Sequence, residues 1–265
     1  MKLAALLVTV LSYNVHGLAG MLVDDDPEAR MPEISARLNG YDVALVQESW
    51  SYVDALAKQA THAVVERSGR VDPGLLFQTG LVTFARPRLR AVTRGSLGAC
   101  AGWLGGANDC LADKGFLRVR LALANGAQVD FWNLHLDAGR DESDRQARAV
   151  QLEHLSARVR EVSRDGPLVI AGDFNLDAAN PADRALFERF TSALALIDSG
   201  AHAATDGVFA HERIDYILYR SGAGVALAPV EAGEAREFSN GPTPLSDHPA
   251  LFARIRVSDE RPTDP

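Results

Sequence analysis

Apolar residues recur along the chain in short runs, at 5–15, 43–47, 80–84, 115–123, 128–136, 168–173, 213–219 and 250–257. Several are apolar at successive positions rather than alternate ones, the pattern of strands covered on both faces. Helices separate them. Asp26-Pro27-Glu28 is a start signal, with Asp as N-cap, Pro at the first helical position and an acid in the first turn, and Met31, Ile34 and Leu38 follow at helical spacing. Ser143-x-x-Gln146 reads as a capping box opening a helix whose apolar stripe is Leu152, Leu155, Val159 and Val162. Asn180-Pro181 opens a third helix, with Leu186, Phe187 and Phe190 expected to be buried. These stripes fit core packing better than cofactor boxes.

The runs at 115–123 and 128–136 follow one another directly, which breaks simple βαβ alternation, and the chain has no GxGxxG or P-loop sequence. The expected architecture is therefore α/β, with two packed mixed sheets flanked by helices. Residues 1–257 are expected to form a single domain and 258–265 a solvated tail.

Composition changes this picture little. The 265 residues are 47% hydrophobic, enough for a large core. The formal net charge is −8 and there is no Lys/Arg block, which speaks against a partner held mainly through nucleic-acid phosphates. Lys2 and the apolar stretch 3–11 resemble a secretory leader. No small-residue cleavage site follows and the run passes into Ser12-Tyr13-Asn14, so it is expected to be the first buried strand. It is also shorter than the roughly 20 apolar residues of a membrane span. Compartment stays open. Cys100 and Cys110 share one glycine-rich loop and lack zinc-site spacing; a small disulfide and a pair of free thiols are both compatible with it.

The chemistry lies at the strand ends. Asn14 closes the first run, Glu48 follows the second, Asp173 and Asn175 end the one at 168–173, and Asp247-His248 precedes the last. Strand ends are where a rigid scaffold presents functional groups. Each residue alone also suits a turn or a cap. Jointly, Glu48, Asp173 and Asp247 offer hard carboxylate oxygens and Asn14 and Asn175 amide oxygens, a set suited to Mg²⁺ or Mn²⁺. Such crowded carboxylates repel one another unless a cation intervenes. Strand alternation places Asn133, His135 and Asp137 on one face and Leu134 and Leu136 in the core. His248 needs an acceptor on its second ring nitrogen, and the candidate is Asp215, a carboxylate interrupting Ile214-Asp215-Tyr216-Ile217-Leu218.

Six blocks carry a family likeness: Ser-Tyr-Asn-Val at 12–15, Val-Gln-Glu at 46–48, Asn-Leu-His-Leu at 133–136, Ala-Gly-Asp-Phe-Asn at 171–175, Ile-Asp-Tyr-Ile at 214–217 and Leu-Ser-Asp-His-Pro at 245–249. In content and order they resemble the endonuclease/exonuclease/phosphatase (DNase I-like) superfamily. The resemblance implies a four-layered α/β sandwich and Mg²⁺-dependent hydrolysis of a phosphate ester, with Mn²⁺ or Co²⁺ as substitutes. It implies Glu48 as the principal metal ligand with Asn14 close by, and Asp247 as a further ligand or an acid supporting the ligands. Asp173 and Asn175 would position the nucleophile and bind phosphate, and His248, oriented by Asp215, would be the catalytic histidine. His135 would be a second histidine, with the division of labour between the two left open.

The stretch Cys110-Leu-Ala-Asp-Lys-Gly-Phe116, before Asn-Leu-His-Leu-Asp, is most similar to the bacterial sphingomyelinase C branch. That points to a phospholipid or other small phosphodiester substrate, with Asn133 and Lys114 as candidate contacts and the Trp103 loop as a candidate membrane-surface contact. An ordinary turn role for Lys114 and a core role for Trp103 stay open. The chain departs from that branch between 220 and 244, where Phe238 is the one aromatic in place of an aromatic-tipped hairpin. The rival readings are a nuclease using the same centre and a catalytically silent binding module.

Overall fold

The computed structural model describes residues 3–18, 26–69, 78–102, 110, 112–201 and 213–259. In chain order the elements are β1 (Leu6–Asn14), α1 (Pro27–Leu38), β2 (Val43–Gln47), α2 (Val53–Ala57), β3 (Val64–Arg67), β4 (Val82–Ala85), β5 (Arg88–Ser96), β6 (Gly115–Ala122) and β7 (Gln128–His135). They continue with α3 (Glu142–Val162), β8 (Leu168–Asp173), α4 (Pro181–Ala193), β9 (Ile197–Asp198), β10 (Asp215–Arg220), β11 (Val225–Glu234), β12 (Ser239–Asn240), β13 (Thr243–Pro244) and β14 (Leu251–Asp259).

Two six-stranded sheets run β11-β14-β1-β2-β4-β3 and β5-β6-β7-β8-β10-β9. Both are mixed: β1 and β2 are parallel, as are β7 and β8, and the other pairings are antiparallel. One apolar cluster, with Val8, Val10, Val43 and Leu45 from the first sheet and Val119, Phe131, Val169 and Ile217 from the second, fills the space between them. A second packs α1 and α2 onto the outer face of the first sheet through Met31, Ile34, Leu38 and Leu56. A third packs α3 and α4 onto the second through Leu155, Val159 and Phe190. These are the expected four layers, and strands buried on both faces explain the unbroken apolar runs.

Three helix signals meet different outcomes. Asp26 accepts from the Ala29 amide at 3.1 Å and Asn180 from Ala182 at 2.9 Å, as their sequences suggest. The capping box of α3, however, sits two residues before the expected one. Asp141 is the N-cap and the Asp144 carboxylate accepts from its amide at 2.8 Å. Two carboxylates in the first turn suit the positive helix end, and Ser143 lies inside that turn. Leu186 and Phe187 are half-buried, leaving Phe190 as the fully buried member of its stripe. At the other end β14 continues through Ser258 and Asp259, and Asp259 accepts from the Leu3 amide at 2.8 Å. The expected tail boundary at 258 therefore falls inside a strand.

Candidate active site

The inward face of each central strand changes character at one end of the sandwich. On β8 it reads Val169, Ala171, Asp173; on β7, Val129, Phe131, Asn133, His135; on β10, Tyr219 and Ile217 lead back to Asp215. On the facing sheet, Val8 and Val10 give way to Ser12 and Asn14, and Val43 and Leu45 to Gln47, with Glu48 next. Period-two alternation therefore carries a polar cluster out of an apolar core. Gly172 permits the close register. An added Cβ there would lie 2.0 Å from the Leu134 carbonyl oxygen, and its φ is +148°.

Asn14 ties the sheets together at this end. Its amide nitrogen donates to Glu48 Oε1 and to Asp173 Oδ2, both at 3.0 Å, and its oxygen accepts from the His16 amide at 3.0 Å. It is thus placed as a donor bridging two carboxylates, and the expected ligand role requires the amide to turn over. His135 Nε2 stands 3.6 Å from both Glu48 Oε1 and Asp173 Oδ2 and 3.4 Å from Lys114 Nζ. His248 Nδ1 meets Asp215 Oδ2 at 2.7 Å, and its Nε2 lies 3.7 Å from Asp173 Oδ2. Asn175 donates its backbone N–H to Asp173 Oδ1 at 2.9 Å and its side-chain amide to the Leu136 carbonyl at 3.1 Å. Three non-glycine residues with positive φ, His16, Glu48 and Asn175, fall in this cluster, where strain commonly marks function.

Burial and charge set the protonation pattern. Burial pushes the Glu48 carboxyl above the usual range, against Asn14 and the nearby Lys114. Burial and then Asp215 raise Asp173 to about 7. Burial, with Lys114 and His248 beside it, holds His135 well below 6.5, so its ring is neutral. Burial opposes the charge on His248 too, but Asp215, Asp173 and Asp247 outweigh it and lift the imidazole to about 10.

Among the described residues, two sets of donor atoms lie mutually within 4.8 Å: Glu48, His135 and Asp173, and Asp173, Asp215 and His248. Carboxylates crowded so closely that one keeps its proton near neutrality fit a divalent cation, with Glu48 and Asp173 as the hard oxygen donors. Asp247 belongs to neither set. Its largely exposed side chain points instead to His16, Oδ1 lying 3.8 Å from Nδ1. Asn133, expected to contact substrate, is placed differently: it is fully buried, donating to the Val46 and Val82 carbonyls and accepting from Gln47. It braces the sheets beneath the site. Lys114 is buried beside His135, whereas Trp103 lies outside the described residues.

The sequence reading missed His16 and Arg30. His16, two residues beyond Asn14, was open to notice; Arg30 was not. From α1 it donates to the Val15, His16 and Leu245 carbonyls, clamping the Asn14 segment to the one carrying His248. Ser246 adds to the clamp, donating to the Asn14 carbonyl at 2.8 Å.

Residues 11–248 match the Endonuclease/Exonuclease/phosphatase family. The chain belongs to that family. Among curated proteins, a sphingomyelinase of Mycobacterium bovis is 30% identical over 275 residues, covering 95% of this chain and 53% of the relative. The chain thus spans about half the length of the curated relatives it matches. Among solved structures, sphingomyelinase C from Streptomyces griseocarneus superposes with a TM-score of 0.68 at 19% identity, covering 94% of this chain and 99% of that one. A variant of beta toxin from Staphylococcus aureus with bound magnesium ions gives 0.68 at 16% identity, covering 96% and 99%. The family shares the fold described here, two packed mixed sheets between helical layers. Cys100 and Cys110 form a disulfide, closing the alternative of free thiols. No helix among the described residues is long and apolar enough to cross a membrane.

Proposed function

We propose that the protein is a Mg²⁺-dependent phosphodiesterase that attacks its substrate with a water activated at His248, and that the substrate is a phospholipid. The observation that carries this reading is the 2.7 Å Asp215–His248 pair whose free nitrogen faces Asp173. A water within hydrogen-bond reach of both His248 Nε2 and Asp173 Oδ2 is oriented by two fixed groups. Its oxygen adds to phosphorus as the bond to the leaving oxygen breaks; one water proton passes to His248, the leaving oxygen takes a proton from solvent, and His248 then returns its own to solvent. Asp215 stabilises the imidazolium so formed. Mg²⁺, held by Glu48 and Asp173, would neutralise the carboxylate excess that keeps a proton on His248 and stabilise charge on the phosphoryl oxygens. Asn175 and Lys114 supply further donors for those oxygens.

The lipid assignment rests on the 30% identity to the mycobacterial sphingomyelinase and on a net charge of −8, which disfavours nucleic acid. Contact of the Trp103 loop with a lipid surface belongs to the same proposal. The test is turnover of bis-p-nitrophenyl phosphate with and without chelator, followed by sphingomyelin, lysophospholipid and plasmid DNA as substrates. Chelator-sensitive cleavage of lipid is expected; cleavage of DNA alone would make the protein a nuclease, and no turnover of any of them a binding module.

A further inference from the structure

A second feature opens at the same end of the first sheet. A cavity of about 120 Å³ is lined by Trp50, Ser51, Asp54, Arg67, Ser68 and Gln78, among others. β3 is antiparallel to β4, and β4 to β2, so β2 and β3 run in the same direction. The ends of β2, where Glu48 sits, and of β3, where Arg67 sits, therefore lie at one edge of the sheet. They are separated by two strand spacings, about 10 Å. That distance suits a group attached to a phosphate held at Glu48.

The cavity is preformed. The Trp50 indole N–H donates to the Gln78 carbonyl at 2.9 Å, and the ring lies on Gly80, where an added Cβ would come within 2.6 Å of Nε1. Ser49 donates to the Gly80 carbonyl at 2.8 Å, and Ser68 pairs with Thr79. Of the lining residues, Ser51, Asp54, Arg67 and Gln78 are exposed and polar, with Arg67 Nη2 2.6 Å from Asp54 Oδ1.

The chemistry of this lining selects its ligand. A quaternary ammonium calls for an aromatic face and for surroundings without a competing cation. Here the Arg67 guanidinium stands 2.6 Å from the exposed Asp54 carboxylate and would repel such a cation. A purely anionic ligand is disfavoured by the same pairing. A rigid aromatic wall beside alternating donors and acceptors instead matches a ring with apolar faces and several hydroxyls around its edge. We infer that the Trp50–Arg67 cavity is a headgroup subsite for a polyhydroxylated, sugar-like group carried by the scissile phosphate. The inference rests on the phosphodiesterase reading above and names the substrate class within it.

The experiment compares phosphatidylinositol vesicles, soluble glycerophosphoinositol and sphingomyelin vesicles, using the wild-type protein and Arg67→Gln and Asp54→Asn, with bis-p-nitrophenyl phosphate as a substrate lacking any headgroup. Binding of myo-inositol 1-phosphate is followed separately by tryptophan fluorescence, with Trp50→Phe as the control. Expected are at least tenfold higher kcat/KM for the inositol lipid than for sphingomyelin, and an approximately tenfold loss in both variants, mainly through KM. Turnover of bis-p-nitrophenyl phosphate should be unchanged in both. Activity on glycerophosphoinositol equal to that on the vesicles identifies a soluble source of the same chemistry; vesicle preference identifies a lipid. Equal or better cleavage of sphingomyelin, or variants that keep the inositol preference, overturns the subsite. Trp50-dependent binding without any turnover would sink the phosphodiesterase reading and leave the subsite standing; no binding and no inositol preference would sink the subsite alone.

Discussion

At the scale of single residues, the site works through contradiction: acids and imidazoles are placed where burial alone would discharge them. Asn14 holds Glu48 and Asp173 on one amide, and His248 stays charged through Asp215. His248→Ala should lower kcat about 10²–10⁴-fold, the range for general acid–base groups, and a loss under tenfold in steady-state kinetics would remove it from that role. The same pair has a signature in stability. The folded-state value of His248 is raised from 6.5 to about 10, so the folded protein binds more protons than the unfolded chain between those limits. Its contribution is full below pH 6.5 and lost as pH rises through about 10. Without metal, Tm should therefore fall between pH 7.5 and 10, and saturating Mg²⁺ or His248→Ala should flatten that slope. The residues gathered in the candidate site were legible because most of them lie at the ends of apolar runs, and Asp215 because it interrupts one. Arg30 and the bracing role of Asn133 were not, since they depend on which carbonyls of distant segments come within reach.

At the scale of elements, legibility followed burial. Runs covered on both faces, such as β2 and β8, were found at their observed bounds. β5 and β11 escaped notice because they are edge strands. The first reads Arg-Leu-Arg-Ala-Val-Thr-Arg-Gly-Ser, and the second carries Pro229 beside a register shift. Charge and proline are how exposed edges avoid further pairing, and they erase the apolar pattern that reveals a strand. The junction of β7 and β8 is the least tolerant of change. Gly172→Ala would force a methyl group into the Leu134 carbonyl, so a loss of about 3 kcal/mol or more is expected. For a chain of this size that is about 6–12 °C in Tm, readable by calorimetry. A shift under 2 °C would show that the strands can separate at no cost and that the glycine of this motif serves something other than their contact.

At the scale of the whole molecule, fold and charge divide the labour. The sandwich brings six distant segments to one edge, and on the proposed function the −8 net charge of the chain bears on which phosphate esters approach it. A nucleic acid bound through its phosphates loses affinity steeply as salt rises, because binding releases counterions. An acidic protein meeting an anionic vesicle behaves in the opposite way. The long-range term is repulsive, and salt screens it as the Debye length shrinks from about 30 Å at 0.01 M to about 10 Å at 0.1 M. The contacts that follow are short-range and barely screened, so the catalytic step keeps its rate. Cleavage of anionic phospholipid vesicles should therefore rise several-fold over this salt interval, at fixed free Mg²⁺, while cleavage of zwitterionic vesicles changes by less than twofold. The initial rate on both vesicle types measured across a salt series decides it. A rate that falls steeply with salt on every substrate would reveal a local basic face that outweighs the net charge, and would move the preferred substrate from lipid to nucleic acid.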